Sequence, residues 1–151
     1  MNILDAFPYH GTNIYVIFAH GSLRIFDYAA ASHGQLTSCE KIAVAHDGGS
    51  VTLDGSTQFS AYQLYTGGKP DRRVLPLGYV KKGSEIAADP IEVPIVKRIF
   101  DLYLQGKFCS FPASVNMAQA EAIVSEETWR KCQEIIDGRA AGNSPELGQK
   151  F

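Results

Sequence analysis

Cysteine is scarce in this chain of 151 residues, with only Cys39, Cys109 and Cys132. They are odd in number, far apart and without a C-x-x-C pair, which excludes a disulfide framework and a zinc ribbon and fits idle thiols in a reducing cytoplasm. Arginine is also sparse, and Arg24 is the only one before Arg72. No apolar run approaches the roughly 18 residues that a membrane span needs, so no membrane partner is expected. The opening MNILDAFPYH has neither a basic n-region nor an apolar h-region, so a secreted fate is not expected and a cytoplasmic location is. A charge of one sign is missing as well. Met1 to Gly68 has two basic residues against five acidic ones, and Lys69 to Phe151 has twelve against eleven, so neither half carries the basic footprint of a nucleic-acid-binding domain. Only Lys69, Arg72, Arg73, Lys81 and Lys82, opposed by Asp71, make a local basic patch, which reads first as a solvated linker. No internal repeat is visible.

What is present is globular. The chain is 45% hydrophobic and 20% charged, and a domain of this size hides roughly 70% of its unfolded surface without staples. Asn2 to Tyr9, with Asp5 and Pro8 among apolar residues, reads as an edge strand. Asn13 to Ala19 reads as a strong strand with Ile14, Val16 and Phe18 on one side and Tyr15 and Ile17 on the other. His20-Gly21 turns it, and Ser22 to Tyr28 returns as its partner. Ala29 to Glu40 is expected to be loop or a single helical turn. Lys41 to His46 and Ser50 to Asp54 form a second hairpin about Asp47-Gly48-Gly49. Thr66 to Asp71, TGGKPD, is the boundary signal. It divides the chain into residues 1–68, an antiparallel β-rich domain with a short helix, and residues 69–151, a mostly helical one. The fold class is therefore α+β.

The second half opens on Gly78-Tyr79-Val80, a short strand running into the turn Lys81-Lys82-Gly83-Ser84. Asp89 is a good N-cap and Pro90 suits the first helical position. Ile91, Ile95, Ile99 and Leu102 recur at helical spacing, widened by Val96, Phe100 and Tyr103, and Gly106 is the expected stop. Pro94 predicts either a kink or a helix that starts near Val93. Phe108 to Ala120 is irregular, with one helical turn expected from Met117. A last helix is capped by Ser125, has Glu126 and Glu127 at its positive end, turns Trp129, Cys132, Ile135 and Ile136 inward, and is expected to stop at Gly138 and fray beyond it.

Two resemblances follow from these words. Ile14 to Phe18, His20-Gly21, Arg24, Phe26-Asp27, a second hairpin and the closing Phe59 to Tyr65, ending Leu64-Tyr65, are similar to a small bacterial family, domain of unknown function 2442. Its members stand alone or are joined to a DNA-binding helical module. That implies a binding or regulatory role by analogy. Pro76, Gly78-Tyr79, Asp89-Pro90 and Val96 to Gly106 resemble the opening of the DNA-binding recombinase domain of large serine recombinases. Ile123 to Trp129 and on to Ile136 resembles the segment that follows that domain. Between the two, only Lys107 to Ala122 stands where the family has a helix-turn-helix-like reading element, so the second half resembles a truncated domain. The family's catalytic domain, with its nucleophilic serine and supporting arginines, has no counterpart in residues that hold Arg24 alone.

Catalysis is not expected. His10, His20, His33 and His46 are spaced like no ligand motif and each is followed by Gly or Asp at a turn, so they read as surface turn histidines. Gly48-Gly49 and Gly67-Gly68 lack the Lys-Ser/Thr of a phosphate loop. Asp47 and Asp54 read as solvated turn acids rather than a carboxylate pair. Trp129 reads as core rather than a stacking platform. The expected function is a non-catalytic binding protein of bacterial mobile-element or prophage origin, DNA-binding or accessory to recombination, with Arg72, Arg73, Lys81, Lys82, Lys97 and Arg98 on phosphate. The alternative is a protein-binding regulator: an antitoxin-like partner, or an inhibitor of a host defence nuclease of the anti-CRISPR kind. No cofactor or metal is expected, and a homodimer is the self-association to be expected if one forms.

Overall fold

The computed structural model describes residues 1–71, 75–112 and 115–142, with side chains described as far as residue 138. The fold is α+β. Strands β1 (Ile3–Tyr9), β2 (Asn13–Phe18) and β3 (Leu23–Asp27) form an antiparallel meander, followed by the single turn α1 (Tyr28–Ala31). Strands β4 (Ile42–Val44), β5 (Ser50–Leu53) and β6 (Thr57–Ser60) form a second meander, closed by helix α2 (Ala61–Gly67). The expected boundary TGGKPD becomes the end of α2 and strand β7 (Lys69–Pro70), which pairs with Arg24 and Ile25 at the edge of the first sheet. Then come a hairpin, β8 (Tyr79–Lys82) and β9 (Glu85–Ala88), and helices α3 (Val93–Leu104), α4 (Met117–Ala120) and α5 (Glu126–Gly142).

The sheet ordered β1-β2-β3-β7 is the middle layer. Strand β2 reads NIYVIF, apolar at almost every position, the pattern of a strand covered on both faces. Ile14, Val16 and Phe18 meet Val51, Leu53, Phe59 and Leu64 of the second meander and α2 on one side. Tyr15 and Ile17, one residue out of phase, meet Ile95, Val96, Ile99 and Phe100 of α3 and Cys132 of α5 on the other. The two cores thus share one sheet. Alternation along a single strand supplies both, because successive side chains point to opposite faces.

Several elements differ from the sequence reading. Helix α3 starts at Val93, one of the two outcomes that Pro94 predicted, and Asp89 is not its N-cap, because Asp89 to Glu92 form a turn in which Asp89 Oδ1 accepts from Ile91 N at 2.9 Å and the Asp89 carbonyl accepts from Glu92 and Val93. Pro94 then falls in the first turn, where its missing N–H has no intrahelical partner to lose, and no kink is required. Gly106, at φ +73°, ends the helix as expected, with Lys107 N bonded to Leu102 O. Gly138 does not end α5. A mid-helix glycine costs only about 1 kcal/mol against Ala, which the rest of the helix absorbs, and a Cβ there would meet nothing within 4 Å. Besides β7, which forms in the expected boundary, two strands were not anticipated. Strand β9 follows the positive-φ turn at Gly83, and β6 follows Asp54-Gly55, both at positive φ, the pair that a two-residue hairpin turn demands.

Candidate binding surface

The residues predicted to touch phosphate sit on separate elements. Lys81 and Lys82 are exposed on β8, whose hairpin with β9 pairs with no other strand among the described residues. Lys82 stands opposite Glu85, and Lys81 opposite Ile86. Lys97 is exposed on α3. Its neighbour Arg98 turns to β1 instead, where Nε donates to Asp5 Oδ2 at 2.7 Å, so its guanidinium is engaged within the fold. Arg72 and Arg73 lie outside the described residues.

Beside the hairpin runs a groove of about 490 Å³ lined chiefly by Leu75, Pro76, Tyr79, Ile86, Ala118 and Ala122. Ile86 is 60% exposed at its edge, a large apolar side chain left to water. Polar contacts hold both walls. Tyr79 Oη donates to the Gln119 carbonyl, tying the hairpin to α4, and Trp129 Nε1 donates to the Met117 carbonyl, tying α4 to α5. Trp129 is half-buried against the core, as read from its place on the helix. Gln119 and Glu121 are the polar members of the lining.

Behind the hairpin, the turn after β1 is fastened to the start of α3. His10 Nε2 lies 2.8 Å from Asp89 Oδ2, Gly78 N donates to Glu92 Oε1 at 2.9 Å, and Tyr9 Oη donates to Glu92 Oε2. Tyr15, whose ring centroid is 5.2 Å from that of Tyr9, donates from Oη to Asp71. Asp89 and Glu92 are only 4% and 3% exposed. Burial pushes the Asp89 carboxyl up, but the Ile91 amide and His10 outweigh it and hold the group below the usual carboxylate range. His10, read from the sequence as an ordinary turn histidine, is half-exposed and paired. The signal for this cluster in the sequence is only the Asp89–Glu92 spacing, since His10 is 79 positions from Asp89.

The other polar candidates remain local. Asp47 Oδ1 accepts from Gly49 N at 2.9 Å, and Asp54 Oδ1 accepts from Glu40 N and Lys41 N at 2.9 and 2.8 Å, so both are turn acids. Those backbone donors hold the Asp54 carboxyl low. His20 is exposed beside Tyr65, with ring centroids 5.5 Å apart, and Arg24 lies over the same Tyr65 ring. Slight burial and then the Arg24 charge lower the His20 pKa from its ordinary value. No described helix is long and apolar enough to cross a membrane. Comparison with models of known protein families, with curated proteins and with solved structures finds no match.

Proposed function

We propose that this chain is a non-catalytic binding protein that holds a partner protein on the β8–β9 hairpin and in the groove beside it. The observation that carries this reading is Ile86, 60% exposed at the mouth of a groove walled by Leu75, Pro76, Tyr79 and two alanines. Concave apolar surface beside exposed charge is the chemistry of protein recognition. Support against catalysis comes from the polar groups themselves: Tyr9, Asp89, Glu92 and Arg98 are engaged in contacts between elements. The two family resemblances support an origin in a bacterial mobile element or prophage, and a host protein is then the partner class.

A second reading, duplex DNA on the same hairpin, is favoured by Lys81 and Lys82, which are both exposed. The two are separated by one comparison. Immobilised wild type, Ile86→Asp and Lys81→Ala/Lys82→Ala are exposed to lysate of the source cells, and each is titrated with labelled duplex DNA at low and physiological salt. A stoichiometric protein retained by wild type and lost in Ile86→Asp is the expected result. DNA binding that falls steeply with salt and is lost in the double lysine variant would replace it with the DNA reading. Neither kind of binding would overturn both.

A further inference from the structure

We propose that His10, Asp89 and Glu92 form a site for a first-row divalent cation that clamps the turn after β1 to the start of α3. Their donor atoms all lie within 4.8 Å of one another. The closest pair, His10 Nε2 and Asp89 Oδ2, is 2.8 Å apart. Two neighbouring ligands of one ion at bond lengths of about 2.1 Å lie about 3.0 Å apart at an octahedral angle and about 3.4 Å at a tetrahedral one, so that pair needs to open only by tenths of an ångström to share an ion. The other separations, of up to 4.8 Å, close as the ligands draw in on the ion, and the set comes from two distant parts of the chain.

The surroundings have the features that a metal site requires. The carboxylates are almost wholly buried, which concentrates negative charge where water screens it poorly. Outer donors orient them: Ile91 N holds Asp89 Oδ1, which leaves Oδ2 towards His10, while Gly78 N and Tyr9 Oη hold the Glu92 carboxylate. His10 is half-exposed and supplies an entry path from solvent. The ion takes the place of the hydrogen bond between His10 and Asp89, with the imidazole in its Nδ1–H tautomer and water in the remaining coordination positions. One imidazole nitrogen with two carboxylates suits Zn²⁺ or Mn²⁺ better than the all-oxygen preference of Mg²⁺ or Ca²⁺. The role is structural, because the ligands join the turn after β1 to the start of α3 and add a coordinate clamp to the apolar packing and the Arg98–Asp5 ion pair between those elements.

The test starts from the full chain, stripped with chelator and exchanged into clean buffer. Zn²⁺, Mn²⁺ and Mg²⁺ are titrated by calorimetry and by thermal melting. Saturable binding of one Zn²⁺ or Mn²⁺ per chain that raises the melting temperature is expected, with little response to Mg²⁺. His10→Gln, whose amide can still donate to Asp89 Oδ2 but is a poor metal ligand, is expected to weaken that binding by about tenfold or more and to abolish the metal-dependent rise in melting temperature, whatever small change the metal-free melt shows. His46→Gln, at another turn, is expected to bind like wild type, which separates the site from casual capture by surface imidazoles. Absence of saturable binding, or binding that His10→Gln leaves unchanged, overturns the proposal even where Asp89→Asn or Glu92→Gln fails to fold.

Discussion

Gly78 is the residue on which the passage from β7 into the hairpin depends. Its φ is +105°, and a Cβ there would lie 2.5 Å from Ile123 Cδ1 and 3.1 Å from Val96 Cγ2, while its own N–H serves Glu92. Conformation and space both require glycine, so Gly78→Ala is expected to destabilise the protein by about 2 kcal/mol or more. A urea midpoint within experimental error of wild type would show that Ile123 and α3 move aside freely. Cys132 makes the opposite case, a residue set by its surroundings rather than its backbone. It is fully buried beneath α3 and its thiol is pushed up to about 11, first by burial and then by Asp101. The thiolate is the reactive form, so at pH 8 a thiol reagent is expected to label exposed Cys109 quickly and Cys132 only on unfolding. Equal rates for both would mean that α5 opens readily from α3. Because the folded thiol ionises later than the unfolded one, its stabilising contribution is present below pH 9 and is lost as pH rises towards 11.

At the scale of elements, local chemistry accounts for most of what forms. Helix α2 has only seven residues and begins with a full capping box: Ser60 Oγ accepts from Gln63 N at 3.1 Å and Gln63 Oε1 accepts from Ser60 N at 2.9 Å. A helix this short depends on such ends, since its nucleation cost is spread over few bonds. Ser60→Ala is expected to cost about 1 kcal/mol, read from a urea melt, and Ser60→Asp to restore most of it. Loss of the same size in both would place the effect in β6 rather than in the cap. Helix α3 was legible in its periodicity, with Ile95, Val96, Ile99, Phe100, Leu102 and Tyr103 buried. Its start was legible only as one of two alternatives: Pro94 pointed to Val93, while Asp89-Pro90 has the same residue types whether it caps a helix or closes a turn three residues earlier. The hairpin at Asp54-Gly55 carried a strong turn signal, and only the polar Thr57 to Ser60 that follows concealed the strand.

At the scale of the molecule, the first sheet is apolar on both faces, and each half of the chain covers one. Residues 1–68 alone would leave Tyr15, Ile17 and Leu23 without the helices that cover them. The fragment is therefore expected to bind a dye that reports exposed apolar surface and to lack a cooperative melt. The full chain is expected to unfold in one transition, with far-UV and near-UV signals coincident. Two separated transitions, or a well-folded fragment, would show that the halves are independent lobes.

The sequence by itself determined the strands of the first meander, the glycine turns, the start of α5 at Ser125 and the apolar face of α3. These are short-range matters, decided by propensity, alternation and the positions where the backbone needs φ above zero. The apolar run of β2 even required two covers. Only the tertiary structure decided what those covers are, that Arg98 is paired with Asp5, and that His10 meets two buried carboxylates. The reason is physical. Periodicity says that a face must be buried, but many partners satisfy that demand, and a charge near the surface reads the same in sequence whether water or a distant carboxylate receives it.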